Sequence, residues 1–560
     1  MWSKSGRDVP TLPPILKNPG RLLRTVRHLR AGQIVNRLVR RFRIPQALDG
    51  AVPASRPPAA AWVNGSGRRA SMLSATRFRF VGHEGEVRTA ADWNDPARTK
   101  LWLYNLHYFD DLRADDAAIR SQWHGALMER WLSQNPPRSG NGWEPYPLSL
   151  RIVNWIGWAL AGNPLSPQLL HSLAVQVRTL GQTLEFHLLG NHLLANAKAL
   201  IFAGCFFSGP EADGWLRAGL GLLADQLDEQ ILGDGGHFEL SPMYHAIILE
   251  DVLDLIQLGR LFSEELAADR RSWEMLAGRM MAWLADMTHP DGEIAFFNDA
   301  AFGIARTHAE LAAYARSLAV AHTSNADPLR VVGASGYLRL RSGPFSVIFD
   351  AAEIGPRYLP GHGHADVLSL EACLDGRRLL TNSGTSSYAN DMVRNEERST
   401  AAHGTVEIDG HSSSEVWASF RVGRRAHPFD LSTETSGDRL SAAASHDGYR
   451  WLPGKPVHRR HIAVSPVALS VTDRITGTGG HSVVGRFPLH PSVSVSPEPG
   501  GCRLELAGGR VLRVRVAGPS DIAVEEGHYA PTFGQRLSRP VLVWRHDGHL
   551  PLNVETRFEL

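Results

Sequence analysis

The stretch Gly361–Gly376, which reads GHGHADVLSLEACLDG, is the part of the sequence that decides the fold. Apolar side chains occupy alternate positions after the two histidines, which would place four of them on one face of a β-strand: Leu368, Leu370, Ala372 and Leu374. Asp375-Gly376 then supplies the residue types that a tight hairpin turn favours. The stretch therefore predicts a strand that enters an antiparallel hairpin, with two histidines and an aspartate at its start.

The sequence on either side of this stretch follows two different periods. From about residue 331 onward it consists of short alternating runs, and Asp409-Gly410 and Asp547-Gly548 offer further hairpin turns. From about 100 to 325, apolar residues recur at helical spacing between Gly, Pro and Asn breaks. Because helices and strands are segregated and do not alternate, we expect an α+β multidomain protein, with an all-α domain followed by an antiparallel β-sandwich.

Length and composition agree with more than one core. A chain of 560 residues is too long for a single domain, and we expect an arm and linker at 1–70, a helical domain at 71–328 and a sandwich at 329–560. A net charge of +2 argues against a nucleic-acid-binding protein. The three cysteines lack the spacing of a zinc site or a disulfide framework, so free buried thiols are expected. No apolar run is long enough to span a membrane.

The N-terminal arm is strongly basic and amphipathic. Residues 16–43 contain nine Lys or Arg and no acid, and their apolar residues recur at helical spacing. We expect two short helices that separate at Ala31-Gly32, which would contact a membrane surface or an acidic polymer, or pack on the protein itself. The arm lacks the features of a clear secretory signal. The Pro-rich stretch 44–70 is expected to be a linker or a surface wrap.

Two clusters in the helical half contain side chains that suit acid–base chemistry. Asn191 and His192 precede an apolar helical face, where Asn191 would serve equally well as an ordinary helix N-cap. Ser241-Pro242 is a strong helix start, which places Tyr244 in the first turn. The positive end of that helix would favour an ionised phenol and so a basic Tyr244, although a buried structural tyrosine is the alternative.

The opening stretch itself allows two interpretations. On a strand, His362 and His364 would point to the same face together with Asp366, as metal ligands must. Asn382, Asp366 or His403 would then supply the third ligand, although Asn is a weak ligand for zinc. Alternatively, one histidine is a general acid or base and the other supports it.

Several segments together resemble the heparinase II/III polysaccharide lyases. They are LWLYNLHYFDDL at 101–112, GWEPYPLSLRIVNWI at 142–156, GNHLLANAKALIFAG at 190–204, GGHFELSPMYH at 235–245, GHGHADVLSLE at 361–371, and NSGTSSY with RSTAAHGTVEIDG at 382–410. The resemblance runs through nearly the whole chain beyond residue 100. It implies an N-terminal (α/α) toroid of helical hairpins followed by the β-sandwich, with the site in the cleft between them.

The resemblance also implies a reaction and the residues that perform it. These enzymes cleave beside a uronic acid by β-elimination, which requires neutralisation of the carboxylate, removal of the C5 proton and protonation of the leaving oxygen. By family match, Asn191 neutralises the carboxylate, His192 assists it or acts as base, and Tyr244 and His362 are the acid and base. Three further residues are candidates for substrate binding: Tyr388, Arg394 and Arg398.

No cofactor is required by this chemistry, but related lyases bind a structural zinc. The matching positions here are His364, Asn382 and His403, and Asn382 replaces an aspartate. Another departure is Ala195, which replaces a glutamate that some members have. We therefore expect an anionic polysaccharide partner, preferably an unsulfated bacterial exopolysaccharide, since sulfated substrates favour stronger basic patches than this chain has outside its arm.

Other functional classes stay open. A non-catalytic polysaccharide-binding protein in exopolysaccharide assembly would keep the cleft without needing Tyr244 or His362. A toroid glycoside hydrolase would use paired carboxylates, for which Asp234 with Glu239 or Asp291 with Glu293 are available. The resemblance favours a periplasmic location, with a cytoplasmic one as the alternative. The sequence does not determine the oligomeric state.

Overall fold

Helices come first along the chain and strands later, as the change of period predicts. The computed structural model describes residues 18–42, 48–65, 67–322, 327–518 and 521–560. Parts of the arm and linker predicted over 1–70, namely residues 1–17, 43–47 and 66, lie outside the described residues. The last long helix ends at Ser317 and the first strand of the sandwich begins at Leu329.

The helices start at clear sequence signals, with Pro in the first turn of several of them. Their bounds are α1 Pro19–Val26, α2 Ala31–Phe42, α3 Lys100–Tyr108, α4 Ser121–Gln134, α5 Pro145–Leu160, α6 Pro167–Gln182, α7 Gly190–Phe206, α8 Pro210–Gln230, α9 Pro242–Leu261, α10 Ser263–Asp286, α11 His308–Ser317 and α12 Met392–Glu397. Short 3₁₀ turns lie at Ala91–Asn94, Asp110–Arg113, Ala117–Arg120, Asn141–Trp143 and Thr400–Ala402. Neighbouring helices pack as hairpins, most extensively α7 with α8 and α9 with α10.

The strands form antiparallel sheets joined mostly by hairpins. Their bounds are β1 Arg77–Phe80, β2 His83–Glu86, β3 Leu329–Val332, β4 Tyr337–Ser342, β5 Phe345–Asp350, β6 Leu370–Leu374, β7 Arg377–Leu380, β8 Val406–Ile408, β9 Val416–Trp417, β10 Arg421–Val422, β11 Pro428–Ser436, β12 Arg439–His446, β13 Val457–Ser465, β14 Ala468–Thr476, β15 Gly480–Pro488, β16 Ser494–Glu498, β17 Gly501–Leu506, β18 Arg510–Ala517, β19 Ile522–Tyr529, β20 Leu537–His549 and β21 Leu552–Glu559. The three large sheets have the orders β3-β4-β5-β6-β7, β11-β12-β13-β14-β21-β18-β17-β16 and β19-β20-β15-β8.

Three apolar clusters hold these elements together. One fills the helical domain, and a second lies between the sheets of the sandwich. The third joins the two domains, because Trp283 and Met287 of the helical half pack with Tyr337 and Ile348 of the sandwich. Polar bonds reinforce that junction: the Tyr337 hydroxyl donates to the carbonyl of Leu240 at 2.7 Å. Apolar packing and a hydrogen bond therefore hold the helical domain and the sandwich together at this junction.

Two predictions about the strands are wrong. Residues 361–369, which contain both histidines, form a loop, and β6 begins only at Leu370. The predicted turn at Asp547-Gly548 lies inside β20, because these residues pair with β15 through Ser482 and His481. The turns at Asp375-Gly376 and Asp409-Gly410 do form, with positive φ angles at all four residues.

The N-terminal arm is a pair of helices, and it packs on the protein. The break between α1 and α2 falls at residues 27–30, so Ala31-Gly32 begins the second helix and does not divide the two. Most apolar side chains of α2 stay exposed, among them Val35, Leu38 and Phe42. Among the described helices, none is long and apolar enough to cross a membrane. All three cysteines are buried free thiols, as expected.

Candidate active site

A cavity of about 1600 Å³ lies between the helical domain, the sandwich and the N-terminal arm. Four of the residues that the sequence singles out for catalysis line it together: Asn191, His192, Tyr244 and His362. Tyr388 of the sandwich lines the same cavity, and the arm adds Gln33 and Arg37. Residues that are far apart in the sequence thus line the same cleft.

Asn191 and His192 enter the cleft from the first turn of α7. Helix α7 begins at Gly190, after Leu189 with a φ of 66°, so Asn191 lies inside the helix and does not cap it. A Cβ on Gly190 would meet the side chain of Leu359 at 2.4 Å. Glycine at this position therefore lets the start of α7 approach the sandwich loop that carries Leu359. The capping interpretation of Asn191 is wrong, which leaves its amide available to the cavity.

Glu185 determines the charge of His192. The His192 ring packs on Tyr146, with centroids 4.4 Å apart, and its Nδ1 lies 3.2 Å from a carboxyl oxygen of Glu185. Burial alone would lower the pKa of His192, but the charge and hydrogen bond of Glu185 outweigh it and raise that pKa. Glu185 is itself fixed by the Asn196 amide at 3.2 Å. The arrangement favours a cationic His192 beside Asn191.

Tyr244 lies where the Ser-Pro signal predicts. Ser241 caps α9, and its hydroxyl oxygen accepts from the backbone N–H of Tyr244 at 3.2 Å. The Tyr244 hydroxyl lies 2.9 Å from the hydroxyl of Tyr388. Burial, followed by the neighbouring Tyr388 and Asp299, raises the pKa of Tyr244 well above its ordinary value. The expectation of a favoured phenolate is therefore wrong, because burial outweighs the helix end, and the neutral phenol is a proton donor.

His362 packs against Tyr244 and is oriented by a buried carboxylate. The two rings have centroids 3.9 Å apart. His362 Nδ1 lies 2.8 Å from Asp299 Oδ2, and its Nε2 lies 3.7 Å from Glu239 Oε2. Asp299 is fully buried, and its pKa lies well below the ordinary value because Arg394 and both histidines outweigh its desolvation. An ionised Asp299 therefore fixes the imidazole of His362 in one orientation.

Arg394 and Arg398 are placed differently from the prediction. Both guanidinium groups are fully buried and lie behind the cavity wall. Arg394 forms a two-pronged ion pair with Asp299, with Nη2 2.7 Å from Oδ2. Arg398 donates to the backbone carbonyls of Gly363 and Ser419. These arginines order the loop that carries His362, so direct contact with a substrate carboxylate is not supported, whereas Tyr388 does reach the cavity.

The second histidine of the pair belongs to a buried cluster. Nδ1 of His364 lies 3.1 Å from His403 Nε2, and its own Nε2 lies 2.9 Å from Asp299. Ligand atoms of His364, Asp366 and His403 lie within 4.8 Å of one another. Two imidazoles and a carboxylate are a donor set that zinc accepts. The carboxylate comes from Asp366, whereas the Asn382 amide donates to Ser369 at 3.4 Å and its oxygen accepts from Gly404.

Two acidic residues of this region have no clear signal in the sequence, and a third, Glu239, is singled out there only as a hydrolase carboxylate. Asp299 acts on His362 across 63 residues of the chain, whereas Glu185 acts on His192 from only seven residues away, in the segment before α7. Glu239 is a buried residue of the cavity lining, and its pKa is raised by burial despite the nearby histidines. Of the carboxylates considered for a hydrolase, Asp234 accepts from Ser335 and Asp291 from Arg378, which leaves Glu239 and Glu293 at the cavity.

Comparison with known proteins agrees with this architecture. The toroid, the sandwich and the cleft between them define a class of two-domain proteins, and two consecutive family models match this chain. The model described as Heparinase II/III N-terminus matches residues 112–326, and the one described as Heparinase II/III-like, C-terminal, matches residues 325–546. The chain belongs to the heparinase II/III-like family.

The chain is similar in sequence to two characterised types of protein, a lyase and a localised protein. The chain is 27% identical over 242 residues to a heparin-sulfate lyase of Bacteroides stercoris, which covers 39% of this chain and 36% of the relative. It is 31% identical over 365 residues to FtsZ-localized protein C of Caulobacter vibrioides, which covers 60% of this chain and 58% of the relative. The match thus spans less than two-thirds of the length of either relative.

Solved structures confirm the predicted fold. The crystal structure of heparinase III is similar with a TM-score of 0.66 at 16% identity, covering 86% of this chain and 80% of that chain. A heparan sulfate lyase HepC mutant from Pedobacter heparinus has a TM-score of 0.60 at 18% identity, covering 87% and 81% of the two chains. At these identities the similarity establishes the toroid followed by the sandwich.

Proposed function

We propose that the protein is a polysaccharide lyase that cleaves a uronic-acid-containing polymer by β-elimination. The observation that carries this proposal is the packing of Tyr244 on His362, with ring centroids 3.9 Å apart, at a cavity wall that also contains Asn191. A proton donor, a proton acceptor and an amide donor are the three groups that the reaction requires.

The reaction begins with the substrate carboxylate. The C5 proton of a uronate is weakly acidic while the adjoining carboxylate keeps its charge, so hydrogen bonds from Asn191 and the cationic His192 are needed to stabilise the carbanion-like state. His362, oriented by Asp299 through Nδ1, removes that proton. The electron pair of the C5–H bond forms the C4=C5 double bond as the C4–O4 bond breaks.

The departing oxygen takes its proton from Tyr244. The raised pKa of this phenol keeps it protonated until O4 develops charge. Tyr388, whose hydroxyl lies 2.9 Å away, is placed to stabilise the resulting phenolate and to return a proton to it. Atoms and charge balance once His362 releases the proton taken from C5 and the tyrosine pair takes up one proton from solvent, which restores Tyr244 for the next turnover.

The preferred substrate class is an unsulfated bacterial exopolysaccharide. The whole chain carries a net charge of only +2, and the N-terminal arm supplies much of its concentrated basic charge. Binding of densely sulfated chains favours stronger basic patches. The arm packs along the cavity, which favours contact with an acidic polymer over a membrane role for residues 16–43. Faster cleavage of heparin than of every unsulfated uronan would contradict this preference.

Zinc, if bound, would have a structural role. His364, Asp366 and His403 would hold it, and its charge would order the loop beneath His362 without contacting the substrate. Metal analysis of purified protein, with Asp366→Asn as the comparison, tests this assignment. Stoichiometric zinc that the variant loses supports it, and full zinc in the variant contradicts the role of Asp366.

A second candidate function is non-catalytic polysaccharide binding. It is favoured by the similarity to FtsZ-localized protein C, whose name describes a localisation and no reaction. Such a protein would retain the polymer in the cleft and would tolerate the loss of Tyr244 and His362. The two candidate functions therefore differ in whether the polymer is cleaved and whether Tyr244 and His362 are needed.

An ultraviolet absorbance assay on a panel of uronic-acid polysaccharides tests the proposal. Elimination creates a double bond conjugated to the carboxylate, which absorbs, and hydrolysis does not. We expect activity in the wild type and its loss in Tyr244→Phe and His362→Ala. Tyr449→Phe and His171→Ala change the same residue types elsewhere and should retain it. Polymer retention without absorbance or new reducing ends would favour the binding protein.

A further inference from the structure

A second, smaller pocket lies between the N-terminal arm and the sandwich. Its volume is about 310 Å³, and we call it the arm pocket. Four arginines from both sides line it together with two histidines, an aspartate and a tryptophan: Arg27, His28, Arg424, Arg425, His427, Asp447, Arg450 and Trp451. The turn between α1 and α2 supplies the first two, and segments that flank β11 and β12 supply the others.

The charges of the arm pocket are poorly compensated. Nε and Nη1 of Arg425 are shielded from water and have no hydrogen-bond partner among the described residues. Burial and then the neighbouring Arg357, only partly offset by the charge of Glu353, lower the pKa of Arg425 to about 10. Burial and then Arg425, Arg27 and Arg357 lower the pKa of His28 to about 4. The cations therefore repel one another, and this arrangement favours a bound anion.

The acids nearby are engaged elsewhere. Asp447 accepts from the backbone N–H of His427 at 2.8 Å, and Glu353 lies 3.0 Å from the Nδ1 of the same histidine. Glu415 accepts from Arg24 at 2.9 Å and lies 3.8 Å from Arg424. Among the described residues, Arg425 thus has no hydrogen-bonded carboxylate of its own.

The arm pocket adjoins the main cleft. His28 and Arg425 line both, and Arg37, Arg357 and Arg421 line the cleft wall beside them. An acidic chain that enters the cleft would meet a row of cations leading to the arm pocket. Trp451 remains 41% exposed. Arg424 lies over its ring at 3.9 Å, so the exposed remainder is the apolar surface on which a sugar ring would pack.

We propose that the arm pocket is a distal subsite that binds an acidic sugar residue of the same polymer, through its carboxylate on Arg425 and its ring on Trp451. The inference rests on the proposed function for the nature of the polymer. It assigns to the arm a role in recognising long chains, because only a chain that extends beyond the catalytic side chains can reach the pocket.

Binding of a size series of oligosaccharides tests the subsite. The probe is cellouronic acid, an unsulfated glucuronate polymer, with cello-oligosaccharides of equal length as the uncharged comparison. Calorimetry is done on Tyr244→Phe protein so that no chain is consumed. We expect affinity to increase at the length that reaches the pocket, and Arg425→Gln and Trp451→Ala each to weaken binding of the long oligomers about tenfold.

Arg474→Gln is the matched control, because Arg474 is exposed on β14 away from the pocket. Equal length dependence in Arg425→Gln, Trp451→Ala and the control would overturn the subsite. Thermal unfolding checks each variant, and if Arg425→Gln fails to fold, the exposed Trp451 still decides the question. Weakened binding of long oligomers without any elimination by the wild type would contradict the lyase and retain the subsite.

Discussion

At the scale of single residues, the chemistry depends on partners that arrive from distant segments. Ser241-Pro242 predicts the position of Tyr244, since capping is encoded within a few residues. Asp299 could not be assigned, because its role arises only when the folded chain brings it to His362, and Glu185, although only seven residues before His192, belongs to no motif that marks it as a partner. Local signals predict where a residue lies on its helix, whereas contacts in the folded protein decide whether its side chain is protonated.

The protonation of His192 can be tested through Glu185. Replacing Glu185 with Gln removes the charge that raises the pKa of His192, so that pKa should fall and the cation should be lost at lower pH. We expect the alkaline limb of the kcat/KM profile to move down by about one pH unit. Glu274→Gln, which changes a glutamate on α10 outside the cleft, should leave the profile unchanged. An unshifted limb in Glu185→Gln would contradict a cationic role for His192.

At the scale of elements, pattern predicts the strands but not where each one ends. Residues 361–369 fail to extend β6 because their backbone groups bond elsewhere: the N–H of His364 donates to the Asn298 side chain at 2.9 Å. A Cβ on Gly363 would lie 2.3 Å from the carbonyl oxygen of Ile354. The backbone at Gly363 therefore packs directly against the segment that contains Ile354. Asp547-Gly548 has turn composition, yet its pairing with β15 continues. The sequence pattern therefore predicts that a strand forms, but it does not show which partner the strand pairs with or where the pairing ends.

Strands β13 and β14 share a buried ion cluster that should govern acid stability. Although burial disfavours its charge, Arg460 and His458 lower the pKa of Asp473 from the ordinary 3.8 to about 2. A lowered pKa contributes stability above pH 4 that is lost as pH falls towards 2, and the difference corresponds to ~2 kcal/mol. Asp473→Asn should therefore destabilise the protein at neutral pH by ~3 kcal/mol, with a smaller effect near pH 2.

Chemical denaturation at several pH values measures this effect. Asp547→Asn is the control, because Asp547 is exposed on β20 and has no such cluster. Equal unfolding free energies for wild type and Asp473→Asn across the acid range would show that the cluster does not contribute to stability.

At the scale of the whole molecule, the arm joins the two domains beside the cleft. Arg24 binds Glu415 of the sandwich at 2.8 Å, and Arg30 pairs with Glu229 of the helical domain. The basic pattern of the arm predicts an acidic contact, but only the fold reveals that the contacts include this protein's own carboxylates. Its remaining cations line the cleft and the arm pocket.

Loosening the arm should be visible without loss of the fold. Glu415→Gln removes the charge shared by Arg21 and Arg24, so we expect faster trypsin cleavage within residues 18–42. The thermal unfolding of the rest of the chain should change little, because these pairs are partly exposed. Glu396→Gln, which weakens an exposed pair with Arg536, is the control. Unchanged cleavage would show that the ion pairs do not fix the arm.

The central claim is that Tyr244 and His362 perform an elimination, and product mass tests it most directly. Wild type and Tyr244→Phe are each incubated with a defined cellouronate oligosaccharide, or with another uronan that the panel identifies as cleaved. The product masses are then measured by mass spectrometry. The account predicts two fragments whose masses sum to that of the substrate, one of them unsaturated, and no fragments from the variant. Fragments that together exceed the substrate by one water would show hydrolysis and contradict the account.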